Sequence, residues 1–326
     1  MKNILVTGGA GFIGSNFIWY VTSRAPSMHI VNLDAMTYAG DMRNLAGLPG
    51  APRYTFIEGD ICDEKLVNSI MWERNYNIDT IVHFAAETHV DRSIYSPERF
   101  MTTNVMGTYI LLEYARMFSG TNPVRFHYIS TDEVYGALSP SEAAWTEDSP
   151  YKPNPPYAAT KAASDHLVRA YGHTYGVEYT ITHCTNNYGP RQNGEKFIPT
   201  VINNALEGKP VPVYGDGGQI RDWIHVKDHC AAIWRVLTDG RIGETYNVGG
   251  GNQPTNLEII GMIGEIMGKK VDVEHVKDRM GHDRRYAIDS TKIRTELGWE
   301  QEYKVLEIGL RETVKWYTEK GKDDGY

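Results

Sequence analysis

Long apolar runs are missing from this sequence. None approaches the ~18 residues that a membrane-spanning helix requires. None stands at the N-terminus either, where Met1-Lys2-Asn3-Ile4-Leu5-Val6 runs straight into a glycine-rich turn. Neither a membrane span nor an export signal is therefore expected. Cysteine is scarce: Cys62, Cys184 and Cys230 are widely separated and odd in number. Their spacing excludes a CxxC metal or redox motif, argues against a disulfide framework and fits a reducing cytoplasm. No HExxH or Cys/His cluster occurs, so no protein-bound metal is expected. Positive charge is in deficit, with 33 Lys and Arg against 41 Asp and Glu and a net charge of −8. That balance excludes a track for nucleic acid, and any anionic ligand must be held by a few placed groups.

What is present is an ordinary globular composition, 41% hydrophobic and 23% charged over 326 residues. At ~100–200 residues per domain, that length allows two domains. Up to about residue 180, short β-branched runs alternate with longer amphipathic stretches. The pattern predicts strands near Asn3–Thr7, His29–Asp34, Tyr54–Glu58, Thr80–His83, Arg125–Ser130 and Glu178–His183. Between them it predicts helices near Phe12–Ser23, Glu64–Glu73, Pro97–Phe118 and Pro156–Tyr175. Such alternation specifies an α/β fold, a Rossmann-type doubly wound parallel sheet covered on both faces. Beyond Asn186 the elements shorten and Gly/Pro signals become denser, as in Gly215-Asp216-Gly217-Gly218 and Gly249-Gly250-Gly251. Residues 1–185 are expected to form the nucleotide-binding domain and 186–326 a smaller α/β substrate lobe, with the chain free to cross between them. A helix near Val305–Tyr317 and a frayed polar tail, Glu319–Tyr326, complete the expectation.

Three features carry chemistry. Gly8, Gly11 and Gly14 punctuate the first strand–helix junction, where glycines permit a tight turn and let a pyrophosphate reach a helix N-terminus. Asp34 ends the second strand, where a carboxylate can accept from an adenosine ribose and repel a 2′-phosphate, favouring NAD over NADP. Asp60 and Ile61 follow the third strand as an adenine contact or a plain loop. Tyr157 and Lys161 are four apart at the start of a helix, so the ammonium can approach the phenol. Bringing a tyrosine from pKa ~10 to 7 takes ~4 kcal/mol, which that ammonium and an oxidised nicotinamide could supply together. Upstream, Ile129-Ser130-Thr131-Asp132-Glu133 closes the fifth strand at the edge facing the ligand crevice. Thr131 can bond a substrate hydroxyl. Asp132 and Glu133 are two adjacent carboxyls that a simple alcohol dehydrogenase does not need, readable as a proton donor and acceptor.

These motifs resemble those of the extended short-chain dehydrogenase/reductase family, and within it the nucleotide-sugar 4,6-dehydratases. The likeness spans nearly the whole chain. It is carried by Val6-Thr-Gly-Gly-Ala-Gly-Phe-Ile-Gly14, Thr37-Tyr-Ala-Gly40, Ala85-Ala-Glu-Thr-His-Val-Asp-Arg-Ser93, Ser130-Thr-Asp-Glu-Val-Tyr-Gly136 and Tyr157-Ala-Ala-Thr-Lys161. It continues through Asn186-Asn-Tyr-Gly-Pro190, Gln219-Ile-Arg-Asp-Trp223 and Gly281-His-Asp-Arg-Arg-Tyr286. Departures are mild: Thr88 and Thr185 stand where the family often has serine, and the loop from Ala137 to Pro155 is shorter than in some members.

The resemblance implies a lyase of deoxysugar biosynthesis (dTDP-rhamnose is one such product) that converts dTDP-glucose to its 4-keto-6-deoxy form. Tyr157 would take the C4 hydroxyl proton, Glu133 the C5 proton, and Asp132 would protonate the departing C6 hydroxyl. NAD would store the hydride between C4 and C6. The same resemblance places Phe12, Ile13, Asp34, Thr37, Asp60, Ile61, Ala85, Thr103, Tyr157, Lys161 and Asn187 at the NAD site. It places Thr88, Thr131, Asn186, Lys196, Pro212, Tyr214, Arg221, Asn256, Arg284 and Tyr286 around the nucleotide-sugar. Lys196, Arg221 and Arg284 suit a diphosphate, and Pro212 and Tyr214 can flank a pyrimidine. His83 is expected to be a strand-end residue and His89 to support the pocket, neither acting as the base. UDP-glucose is the alternative substrate; GDP-mannose enzymes more often favour NADP, which Asp34 opposes. A nucleotide-sugar 4-epimerase would share Tyr157 and Lys161 but would not need Asp132 and Glu133. A non-catalytic NAD sensor would not need Tyr157 and Lys161. A homodimer through the helices Pro97–Phe118 and Pro156–Tyr175 is also implied, with Ile110, Leu111 and Leu112 available for that packing or for the monomer's own core.

Overall fold

The structure is a computed structural model that describes residues 1–48, 53–120 and 123–323. Alternation within Ile4-Leu5-Val6 puts Ile4 and Val6 on one face of strand β1 (Asn3–Thr7) and Leu5 on the other, and all three are fully buried. A strand dry on both sides needs a helix layer above and below it. Those layers come from α1 (Phe12–Arg24), β2 (His29–Asp34), β3 (Tyr54–Glu58), α2 (Glu64–Asn68), β4 (Thr80–His83), α3 (Val90–Tyr95), α4 (Pro97–Phe100), α5 (Gly107–Met117), β5 (Arg125–Thr131), α6 (Pro156–Tyr175) and β6 (Tyr179–Cys184). The second half adds β7 (Asn186–Tyr188), α7 (Phe197–Glu207), β8 (Val211–Tyr214), β9 (Trp223–His225), α8 (Val226–Asp239), β10 (Thr245–Val248), α9 (Asn256–Met267), β11 (Val273–Val276), α10 (Thr291–Leu297) and α11 (Leu306–Asp323).

The central sheet is parallel throughout, in the order β10-β6-β5-β4-β1-β2-β3. From β1 the chain winds outward through β2 and β3, then returns to β4 and winds the other way. The carboxyl ends of β1 and β4 therefore open a crevice between them. On one face, Leu111 and Leu112 of α5 and Val168 and Tyr171 of α6 pack on Leu5, Ile81 and Phe126. On the other, Phe17, Ile18 and Val21 of α1 and Ile233 and Leu237 of α8 pack on Ile4, Val6 and Val82. α8 and β10 return from the C-terminal half to cover and extend the first sheet. The second lobe gathers α7, α9 and α11 around Ile198, Ile202, Ile259 and Leu310, beside two small parallel ribbons, β7 with β9 and β8 with β11.

Three expected elements differ in detail. The helix expected over Glu64–Glu73 is α-helical only to Asn68 and ends in a π-helical turn, Ser69–Glu73. The long helix expected over Pro97–Phe118 is interrupted by a π-helical stretch, Met101–Met106. The α-helix resumes at Gly107, where a Cβ would lie 2.3 Å from Ile61 Cδ1, so a glycine lets α5 close on the end of β3. The expected frayed tail is helical as far as Asp323, tied down by Val314 in the core and by the Tyr317 hydroxyl bonded to the Gln192 carbonyl. Residues 324–326 of that tail lie outside the described residues. Among the described residues no helix is long and apolar enough to cross a membrane.

Leu111 and Leu112 are fully buried in this chain's own core and do not face a partner. Leu111→Ala is accordingly expected to destabilise the protomer itself by about 2–5 kcal/mol. Urea unfolding at two protein concentrations checks this, and a loss confined to the dilute sample would instead assign Leu111 to a subunit contact.

Candidate active site

The crevice is a cavity of about 340 Å³ over the carboxyl ends of the strands. Its floor is the β1–α1 turn. Gly8 has φ +73°, and a Cβ there would lie 2.7 Å from the Ala85 nitrogen, so the turn can meet the end of β4 only as glycine. Gly14 likewise leaves no room, since its Cβ would lie 2.3 Å from the Gly8 carbonyl oxygen. Helix α1 begins at Gly11 without a side-chain cap, so its N-terminal amides are presented to the cavity that Gly11, Phe12, Ile13 and Gly14 line. Asp34 accepts from the amides of Ala10 at 2.8 Å and Met36 at 2.9 Å, which braces the turn and leaves lone pairs for a ligand. Burial pushes its carboxyl up, and those amide bonds oppose the shift. This floor, an uncapped helix end with an acid at the next strand, fits a dinucleotide diphosphate and its ribose. All the residues expected around NAD line the same cavity, including Thr37, Asp60, Ile61, Ala85, Thr103 and Asn187.

The opposite wall is the end of β5. Thr131 caps a 3-10 turn, Asp132–Tyr135, by accepting from the Glu133 amide, and its hydroxyl donates to Asp132. The turn stops at Gly136, whose φ of +84° and lack of a Cβ accommodate the Lys152 carbonyl. One oxygen of Asp132 (Oδ2) and one of Glu133 (Oε2) are buried without a protein partner. Desolvation pushes the Asp132 carboxyl well above the carboxylate range, and the charges of Glu133 and Asp222 push it the same way. Glu133 is also raised by burial, but Arg279, Arg221 and Lys196 draw it back. Two neighbouring acids are thus pushed apart, Asp132 toward a proton donor and Glu133 toward a proton acceptor.

Tyr157 and Lys161 project from the first turns of α6 into the cavity and are 8% and 3% exposed. The ammonium donates to the Ile129 carbonyl at 2.7 Å and lies 4.1 Å from the Tyr128 ring centre. Burial lowers it to about 8, opposed by Asp165 and Cys184. The phenol departs from expectation. Burial pushes it well above its ordinary value, and Glu133 adds to the shift while a hydrogen bond to Thr131 opposes it. In the protein by itself burial is the largest influence on the phenol.

Of the residues expected around a nucleotide-sugar, Thr88, Thr131, Asn186 and Lys196 line the cavity, and the Lys196 ammonium donates to the Thr88 carbonyl at 3.3 Å. Pro212, Tyr214, Arg221, Asn256, Arg284 and Tyr286 lie outside its lining, in the second lobe. Arg221 is buried over the Tyr286 ring at 4.6 Å, and its charge reaches both acids. Tyr286 bonds to Asp283. The Tyr214 hydroxyl donates to Asp91 at 3.0 Å across the lobes. Pro212 pairs with Glu274 in the β8–β11 ribbon, and Asn256 opens α9. Arg284 turns outward onto Asp216 at 2.7 Å. Arg279, which bonds Asp91 at 3.2 Å and draws Glu133 down, escaped sequence reasoning, because it sits in a loop before the Gly281–Tyr286 motif with no spacing of its own. His83 is buried between the hydroxyls of Thr7 and Thr108, and His89 caps α3. The rim is strapped by segment 190–193. Arg191 donates to the Asn44 carbonyl at 3.0 Å and Asn16 at 3.1 Å, while Asn193 donates to the Tyr38 carbonyl at 3.3 Å. Among the described residues no group of three or more His, Cys, Asp or Glu is placed to hold a metal ion.

Comparison with known proteins agrees with this geometry. The sequence model of the GDP-mannose 4,6 dehydratase family matches residues 5–313. The dTDP-glucose 4,6-dehydratase of Neisseria gonorrhoeae is 48% identical over 334 residues, 97% of this chain and 95% of that protein. A dTDP-glucose 4,6-dehydratase from Bacillus anthracis str. Ames, solved in complex with NAD, superposes with a TM-score of 0.90 at 45% identity, covering 99% of this chain and 98% of that one. The UDP-glucuronic acid 4-epimerase of Bacillus cereus, in complex with UDP-glucuronic acid and NAD, superposes at 0.88 with 30% identity, covering 98% and 99%.

The environment of Asp132 gives a stability test. Its folded pKa lies above the unfolded one, so the native state holds an extra proton in that window and loses stability as pH rises through it. Asp132→Asn is expected to raise Tm at pH 7, with the gain fading as pH falls toward the ordinary value of 3.8. Identical thermal scans of variant and wild type from pH 4 to 7 would contradict the buried, protonated carboxyl.

Proposed function

The chain belongs to the GDP-mannose 4,6 dehydratase family, and on that premise we propose that it is a lyase that dehydrates dTDP-glucose to dTDP-4-keto-6-deoxyglucose. The observation that carries this reading is the pair of buried carboxyls, Asp132 and Glu133, directly after Thr131 and facing the Tyr157/Lys161 helix. An epimerase of the same fold would have to move protons only at the C4 oxygen, and a single phenol suffices for that.

NAD, which the α1 N-terminus and Asp34 would hold, would supply hydride storage between C4 and C6. The residues of this chain move the protons. Tyr157 accepts the O4 proton as C4 becomes a ketone, with Thr131 holding the same oxygen and Lys161 keeping positive charge in the wall. The ketone acidifies the neighbouring C5–H, and Glu133, drawn down by Arg279, Arg221 and Lys196, takes that proton. Asp132, protonated in its buried setting, gives its proton to O6, and the C6–O bond breaks to release water. Glu133 then returns its proton to C5. Net, Tyr157 gains the proton that Asp132 loses, and the sugar has lost one water. Lys196, Arg221 and Arg279 supply the positive charge that a nucleoside diphosphate requires.

The assembly is a homodimer. Met101, Met106, Tyr109 and Met117 on the Pro97–Met117 arm and Tyr175 on α6 are exposed together beside the buried face of the same helices, and a second copy of this chain covers them. The site of action is the cytoplasm, in keeping with the free Cys62, Cys184 and Cys230.

Purified protein given dTDP-glucose and no added NAD is expected to form an alkali-sensitive 4-keto product. UDP-glucose run beside it tests the choice of base. Asp132→Asn combined with Glu133→Gln should abolish dehydration and leave slow C4 oxidation, seen as rising NADH absorbance. dTDP-galactose as sole product would overturn the reading, and an unimpaired double variant would overturn the acid/base roles. Separately, Met106→Asp with Tyr109→Asp should shift the sedimenting species from dimer to monomer with the fold intact by circular dichroism.

A further inference from the structure

A further buried acid lies behind the catalytic wall and takes no part in the proton transfers above. Asp165 sits one helical turn beyond Lys161 on α6 and is fully buried. Its Oδ2 accepts from the Ser130 hydroxyl at 3.0 Å and meets His183 Nε2 at 2.9 Å, while Oδ1 has no protein partner. Ser130 and His183 are register partners on β5 and β6, so the carboxylate is gripped by two adjacent strands at once. Lys161 grips β5 one residue earlier, through the Ile129 carbonyl. His183 is itself fixed by the buried Tyr135 hydroxyl at 2.7 Å and the partly buried Tyr151 hydroxyl at 3.0 Å. Helix α6 is therefore pinned to the end of β5 at two successive residues, Ile129 and Ser130, by two side chains a turn apart.

We propose that Asp165 is a positioning residue for Lys161, serving as the fixed counter-charge that keeps the ammonium charged and seated against the Ile129 carbonyl. An ammonium removed from water sheds its proton unless a negative charge stands near it. The groups facing Lys161 are Tyr157 and Asp165 from α6, Tyr128 from β5, His83 from β4 and Cys184 from β6. Burial pushes the Cys184 thiol up to about 12 and holds His83 neutral. Asp165 is the carboxyl of the set, held one helical turn from the ammonium by Ser130 and His183. Burial alone takes Lys161 down, and Asp165 acts against it.

The inference rests on the role given to Lys161 above. It is tested on the full-length protein by the pH profile of kcat for dTDP-glucose dehydration. Neutral Asp165→Asn is expected to move the alkaline limb of that profile about one pH unit lower, an approximately tenfold loss at the alkaline end with little loss near pH 6.5. Asp165→Ser, which admits water in place of the carboxylate, gives a second neutral variant expected to shift in the same direction. His183→Gln disturbs the same network but leaves the charge, and should leave the limb in place. Combined with Lys161→Met, Asp165→Asn should cost nothing further. The Lys161 Nζ signal in 15N-lysine-labelled protein should report the shift without turnover. A uniform loss at every pH, an additive loss in the Lys161→Met background, or a limb moved equally by His183→Gln would overturn the proposal. Wild-type protein without dehydratase activity would instead overturn the function, and the 15N titration would still judge Asp165.

Discussion

At the carboxyl end of β5 four ionisable side chains, Asp132, Glu133, Tyr157 and Lys161, are withdrawn from water, and each shifts in the direction that withdrawal dictates. Acids and phenol rise and the ammonium falls. The effective penalty for burying a single ion is several kcal/mol, so such a cluster persists only where the surroundings divide charge carefully. Here the division is legible atom by atom. Asp132 is left with acidic neighbours and keeps its proton. Glu133 is given three cations and can lose its own. Lys161 is given a carbonyl, an aromatic face and a carboxyl one helical turn away.

That arrangement explains the architecture around it. The cations that act on Glu133 come from the second lobe: Lys196 before α7, Arg221 before β9 and Arg279 after β11. A single Rossmann sheet could present the acids but not the charges that separate them. Each of these cations draws the Glu133 carboxyl down, so the C-terminal half of the chain acts on an acid that the first sheet carries. The return of α8 and β10 to the first sheet then stitches the lobes together, so those cations keep their distance from Glu133.

Much of this was legible in the residues. Strand and helix spans followed from alternation between dry and wet faces, because β1, β2 and β4 are buried on both sides and read as apolar runs. The glycines, Asp34, the Thr131-Asp132-Glu133 triplet and the Tyr157/Lys161 pair lie on consecutive walls of one cavity, since local spacing and strand-end position suffice to bring them there. Other features depended on distance in three dimensions. The upward shift of Tyr157 comes from burial and from Glu133, and a spacing of four residues shows neither that nor the bond of Lys161 to the Ile129 carbonyl. Arg279 matters through a neighbour far away in sequence. Neither the π-helical stretch Met101–Met106 nor the close approach of Gly107 to Ile61 is recorded in any periodicity of the sequence. Leu111 and Leu112 read equally well as core or interface, and only burial decides between them.

The strap of residues 190–193 braces the cavity wall from outside its own strands. Its bonds to Asn16, Tyr38 and Asn44 join the segment after β7 to the loop after β2 and the first helix. Gln192 and Asn193 line the same cavity as the β1–α1 turn and Asp34, so the shape of that wall is set jointly by the two halves of the chain.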